Sequence, residues 1–119
     1  MVRAESNAKI DKLIKQVEGG FNAETICPAL MDLREDALAD KDPLLAKTFR
    51  LAAEYINEND CFDHTVEKEE NEEGEEFLLE PGTDAENLIY LLQLIKKSEN
   101  KFNREEIKEM RTFLKMKLY

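Results

Sequence analysis

Apolar residues recur at intervals of three and four along most of this chain, and this spacing restricts the fold more than any other feature. Such a run places its side chains on one face of an α-helix. The first run predicts a helix from Ser6 to Glu18, which ends at Gly19-Gly20 because glycine adopts the left-handed conformation after a helix without steric cost. Its apolar stripe consists of Ile10, Leu13, Ile14 and Val17.

Two prolines predict where the next helices begin. Pro28 suits the first position of a second helix that ends near Ala39, because the N–H that proline lacks has no partner there. Asp42 and Pro43 read as the N-cap and first residue of a third helix, which continues to about Asn57.

Capping patterns predict two further helices. Thr83 and Glu86 have the spacing of a capping box, which opens a fourth helix that ends near Lys97. Asn103 is predicted in the same way to be the N-cap that opens a fifth helix. The short connection over residues 98–102 predicts that the last two helices form an antiparallel helical hairpin.

The chain length supports one folding unit. A chain of 119 residues is within the usual size of a single domain. We therefore predict an all-α, single-domain bundle of about five helices over residues 1–119. Residues 58–80 interrupt the helical spacing and form an insertion between helices three and four.

The insertion has two interpretations. Phe62, His64 and Val66 alternate with polar residues, and Phe77 and Leu79 do so again, which is typical of the two strands of a β-hairpin. The other interpretation is a disordered loop. Close glutamates repel each other and bury nothing apolar, so we expect a mobile tip in either case.

The acidic residues of the protein are concentrated in and around the insertion. Residues 54–86 contain fourteen acidic residues and one basic residue, a net charge of −13, whereas the whole chain has −10. The densest part is residues 67–76, which we call the acidic segment. Concentrated negative charge favours fast association with a basic partner. The predicted partner-binding residues are Glu67, Glu69, Glu70, Glu72, Glu73, Glu75 and Glu76.

Composition argues against several functional classes. The chain has one histidine and no glycine-rich phosphate-binding motif, so we expect neither catalysis nor a cofactor. Its net charge opposes binding to nucleic acids and anionic membranes. The first residues are polar, and two cysteines without a secretion signal predict a cytoplasmic protein with free thiols. The main prediction is therefore a small acidic protein-binding module that neutralises or regulates a basic partner.

A metal- or thiol-dependent protein is the first alternative. Cys61, Asp63 and His64 place a thiol, a carboxylate and an imidazole within four residues. Structural zinc sites normally have two pairs of ligands, and only one pair is present here. Cys27 precedes Pro28, where a helix N-terminus would lower the pKa of its thiol.

A helix-turn-helix DNA-binding protein is the second alternative. The last helix is basic, and residues 96–119 have a net charge of +4. The acidity of the remaining chain weighs against this function. The basic residues in question are Lys108, Arg111, Lys115 and Lys117.

The fourth helix suggests a homodimer. Seven of the eight residues from Leu88 to Ile95 are apolar. A helix that is apolar most of the way round is either central in its own fold or covered by a partner on its second face. The helix from Asp84 to Lys97 is therefore the predicted dimer contact, should a dimer form.

Overall fold

Five helices form where apolar stripes and capping residues predicted them. The computed structural model describes residues 1, 3–63, 68–70, 76–78 and 83–119. This part of the chain confirms the predicted all-α bundle. Its helices are α1 (Ala4–Gly19), α2 (Ala23–Ala39), α3 (Pro43–Asn59), α4 (Asp84–Lys96) and α5 (Lys101–Leu118).

Two predicted caps are present. An Asp42 carboxylate oxygen accepts a hydrogen bond from the backbone N–H of Leu45 at 3.3 Å, at the start of α3. The Thr83 hydroxyl accepts one from the N–H of Glu86 at 3.1 Å, at the start of α4. Each cap gives a partner to an N–H that the first turn of a helix leaves unpaired.

The prediction that Pro28 opens α2 is wrong. The helix begins at Ala23, because the Asn22 side chain accepts a hydrogen bond from the N–H of Glu24 at 2.9 Å. Pro28 therefore lies inside the helix, with its ring exposed. There it removes one hydrogen bond from the helical ladder, which disfavours a helix without preventing it.

The start of α5 also differs from the prediction. Asn100, rather than Asn103, is the N-cap, and its side chain accepts hydrogen bonds from the N–H groups of Phe102 at 2.9 Å and Asn103 at 3.2 Å. The helix is therefore one turn longer at its N-terminus. Its apolar stripe is buried as expected, at Ile107, Met110 and Leu114.

Helix α3 is the most enclosed helix of the bundle. Ten of its seventeen residues are buried, against six of thirteen in α4. It packs against α2 and α5, while α4 packs against α1 and α5. The Tyr90 hydroxyl of α4 donates to the Glu106 carboxylate of α5 at 2.5 Å, which fits the predicted antiparallel hairpin of these helices. Buried apolar residues of all five helices form one continuous core.

Two short strands lie between α3 and α4. Strand β1 (Lys68–Glu70) pairs antiparallel with β2 (Glu76–Leu78), and Glu69 lies opposite Phe77 in this register. The first strand is thus nearer the acidic tip than the alternating pattern predicted. The predicted mobile tip spans residues 67–76, of which 68–70 and 76 belong to the two strands. His64, Val66, Leu79 and residues 67 and 71–75 lie outside the described residues.

Candidate functional site at the base of the acidic segment

Phe62 fixes the point at which the chain leaves the bundle toward the acidic segment. Its side chain is completely buried, although it follows α3 and belongs to no helix or strand. The ring packs edge-to-face against Tyr55 of α3, with ring centroids 6.3 Å apart. An aromatic pair of this geometry stabilises a core by about 0.5–1.5 kcal/mol beyond its buried area.

The backbone of Phe62 is bound to the first turn of α4. Its N–H donates to an Asp84 carboxylate oxygen at 3.2 Å, and its carbonyl accepts from the Asn87 side-chain amide at 3.0 Å. Both polar groups of this buried residue therefore have partners, as burial requires. The contacts hold the end of α3 against the start of α4, which is where the insertion begins and ends.

Tyr55 of α3 completes the contacts around Phe62. Its hydroxyl donates to an Asp63 carboxylate oxygen at 2.5 Å. Burial raises the pKa of the Tyr55 phenol well above its usual range, and the hydrogen bond to Asp63 raises it further. The phenol is therefore a neutral hydrogen-bond donor at physiological pH. We call Tyr55, Phe62, Asp63, Asp84 and Asn87 the anchor.

The predicted binding residues continue from this anchor. Glu69 and Glu70 lie on β1 and Glu76 lies on β2, while Glu67, Glu72, Glu73 and Glu75 lie outside the described residues. Glu70 is paired with Glu76 across the two strands. The strands therefore bring both ends of the acidic segment side by side.

Cys61 lies beside three carboxylates of the anchor region. Burial raises the pKa of its thiol, and the charges of Asp63, Asp84 and Asp60 raise it further. The thiolate is the form that attacks substrates and binds metals, so this environment opposes both roles. Over the described residues, no group of three or more His, Cys, Asp or Glu side chains is placed to hold a metal ion. The proposed partner of Cys61, His64, lies outside them.

Cys27 lies in the second turn of α2 rather than at its N-terminus, because Asn22 begins the helix earlier. Its thiol donates to the backbone carbonyl of Ala53 at 3.4 Å. Burial and then the charge of Asp60 raise the pKa of the thiol. The expectation of a lowered pKa is therefore wrong, since it depended on the predicted start of α2.

The basic residues of α5 do not share one surface role. Lys108 forms an ion pair with Glu105 at 3.4 Å, and Lys117 lies over the Phe113 ring at 5.5 Å from its centroid. Arg111 and Lys115 instead lie close enough to α3 to lower the pKa of Lys47. A DNA-reading helix needs its polar residues directed into one groove, and these contacts divide the set.

A cleft of about 350 Å³ is lined by the residues before α1, the connection between α2 and α3, and the connection between α4 and α5. Two ion pairs lie in its walls: Arg3 contacts Asp40 at 2.7 Å, and Arg104 contacts Asp42 at 2.7 Å. These ion pairs hold the ends of several helices together.

Comparison with known proteins finds no matching family model, no similar curated protein and no similar solved structure. The charge and geometry of this chain are therefore the basis on which a function can be proposed.

Sequence reasoning missed the anchor as a unit. The signal that was available is Phe62, a large aromatic residue at the edge of a polar insertion. The alternation around it predicted a strand, because a single aromatic residue does not tell whether it packs on a strand or on the core of the bundle.

Proposed function

We propose that this protein is a non-catalytic binding module whose acidic segment engages a basic surface of a partner protein. The observation that carries the proposal is the net charge of −6 over the ten residues of the acidic segment, within the stretch 54–86 that has −13. The contacts of Phe62 fix the chain to the bundle shortly before this segment. Concentrated charge of one sign accelerates association and suppresses partners of the same sign.

The anchor supports this proposal by restricting where the charge is presented. Phe62 is buried and its backbone is bound to α4, so the chain is fixed to the bundle five residues before the acidic segment begins. A binding element that is fixed at its base loses less conformational freedom when its partner arrives. The partner class is a protein whose basic surface binds phosphates, with the glutamates taking the place of the phosphates.

The proposed location is the cytoplasm. Cys27 and Cys61 are free thiols, as a reducing compartment favours. Among the described residues, no helix is both long and apolar enough to cross a bilayer.

Two variants with the same net charge test the proposal. In the segment variant, the seven predicted binding glutamates are replaced by Gln. In the matched control, seven exposed glutamates of the helices and the connection between α4 and α5 are replaced by Gln, namely Glu5, Glu18, Glu24, Glu35, Glu99, Glu105 and Glu109.

The readout is the association rate with an arginine-rich peptide, measured by stopped-flow fluorescence at low and high salt. We expect the segment variant to lose about tenfold or more of the rate at low salt, and the control to lose much less, because steering depends on local charge. Equal losses in both variants would mean that only net charge matters, and the proposed role of the segment would be wrong.

A further inference from the structure

Helices α3 and α5 run side by side in the same direction, and two contacts show how they are aligned. Near the start of both helices, the Arg104 guanidinium contacts an Asp42 carboxylate oxygen at 2.7 Å. Near the end of both, the Tyr119 hydroxyl donates to a Glu54 carboxylate oxygen at 2.7 Å. Residues of α3 between these two contacts therefore lie beside the corresponding residues of α5.

Four basic residues lie in the interval between the two contacts. Lys47 and Arg50 are three residues apart on α3, and Arg111 and Lys115 are four apart on α5. These spacings put each pair on one face of its helix. The alignment of the helices brings the two pairs opposite each other, and we call these four residues the basic seam.

The positive charges of the basic seam repel each other. The charge of Lys115, then burial, then the charges of Arg111 and Arg50 lower the pKa of Lys47. Arg50 Nε is buried and has no hydrogen-bond partner in the described part of the chain, and its nearest carboxylate oxygen, on Glu54, is 3.9 Å away. A bound anion would offset the repulsion among these like charges and offer an acceptor beside the Arg50 guanidinium.

We propose that the basic seam binds a compact, phosphate-bearing anion. Two guanidinium groups supply planar pairs of N–H donors that match phosphate oxygens, and two ammonium groups add charge. This site uses other residues than the anchor and has the opposite sign from the acidic segment, so it goes beyond the function proposed above.

The flanking residues decide the size of the ligand. Asp42 and Glu54 bound the basic seam at its two ends, about 18 Å apart at ~1.5 Å per residue of helix. An interval of this length suits a compact anion, whereas a long nucleic-acid strand would extend past both carboxylates. Screening in physiological salt limits the repulsion from acidic residues that lie more than about 8 Å from the basic seam.

The test titrates the full chain with inorganic tripolyphosphate, followed by amide chemical shifts at constant ionic strength. We expect saturable shifts around residues 47–50 and 111–115. In Arg111→Gln/Lys115→Gln, we expect affinity to fall by about tenfold or more, because two charge-assisted contacts are lost. The matched control is Lys12→Gln/Lys15→Gln on the exposed face of α1, which has the same net charge and should bind as the natural chain does.

Thermal unfolding of each variant checks that it folds, and Lys47→Gln is a second, milder change in the same seam. A peptide with two phosphoserines, titrated in parallel, distinguishes a free polyphosphate from a phosphorylated protein by which binds more tightly. Equal losses in the seam and control variants, or binding of neither phosphate probe, would overturn the proposal. Tighter binding of a single-stranded oligonucleotide than of both probes would overturn the compact ligand.

Discussion

Tyr55 contributes to the anchor with both ends of its side chain. Its ring contacts Phe62, and its hydroxyl donates to Asp63. The ring contact is apolar and does not depend on pH. The hydrogen bond requires a protonated phenol, so the two contributions can be separated by removing the hydroxyl alone.

We expect Tyr55→Phe to lower the free energy of unfolding by about 1–2 kcal/mol near neutral pH, since a hydrogen bond to a charged group is lost. The pKa of Tyr55 is raised in the folded protein. Its contribution is therefore complete below the unfolded pKa of about 10 and is lost as the pH rises through the folded pKa. Urea unfolding at neutral pH and at about pH 11 should show a smaller difference between the variant and the natural chain at the higher pH.

Tyr119→Phe is the control for this prediction. The Tyr119 hydroxyl donates to Glu54, but its side chain is 77% exposed. An exposed hydrogen bond exchanges readily with water, so we expect little change in stability. Equal effects of the two substitutions would contradict the assignment of Tyr55 to the anchor.

At the scale of elements, local signals located helices better than they located helix ends. Proline and asparagine are both common near helix starts, and the immediate neighbours of Pro28 and Asn103 predict that role for each. In the structure, Asn22 and Asn100 cap the same helices earlier in the chain. Several residues near each start are able to cap, and packing against the bundle decides how far a helix extends.

The two asparagines near the start of α5 give a direct test of this correction. We expect Asn100→Ala to cost about 1 kcal/mol of stability, because the cap to two N–H groups is lost. Asn103→Ala should cost less, because its side chain makes one long hydrogen bond, to the Lys97 carbonyl at 3.2 Å. Chemical denaturation of both variants measures the difference, and a larger loss in Asn103→Ala would restore the original cap assignment.

At the scale of the whole molecule, most of the apolar surface of α4 is buried against other helices of the same chain. Leu88, Leu91, Leu92 and Ile95 are buried, and Ile89 packs against the core. Among the apolar residues of this run, only Tyr90 is clearly exposed, at 42%. A homodimer through α4 stays a prediction, but the apolar run that suggested it is largely accounted for by α1 and α5.

We therefore expect sedimentation equilibrium to give the mass of one chain, 13.8 kDa, at low and at high salt. The high-salt measurement matters because the net charge of −10 separates copies at low salt and would hide a weak dimer. A mass near twice this value would support the dimer. Tyr90→Asp should then return the mass to that of one chain, because it places a charge in the predicted contact.

The sequence by itself determined the class of fold. The apolar stripes, the caps at Asp42 and Thr83 and the small number of glycines and prolines are local features, and local features suffice to predict helices. It also determined the location of the acidic charge, because net charge is a sum over residues and needs no structure.

Only the tertiary structure decided which distant residues act together. Phe62 meets Asp84 and Asn87 because α3 and α4 meet, and Lys47 faces Lys115 because α3 and α5 are aligned. Neither contact leaves a pattern in the order of residues, since each joins segments that are more than twenty residues apart. Both proposed binding sites depend on such contacts, whereas the helices that supply them could be predicted from neighbouring residues alone.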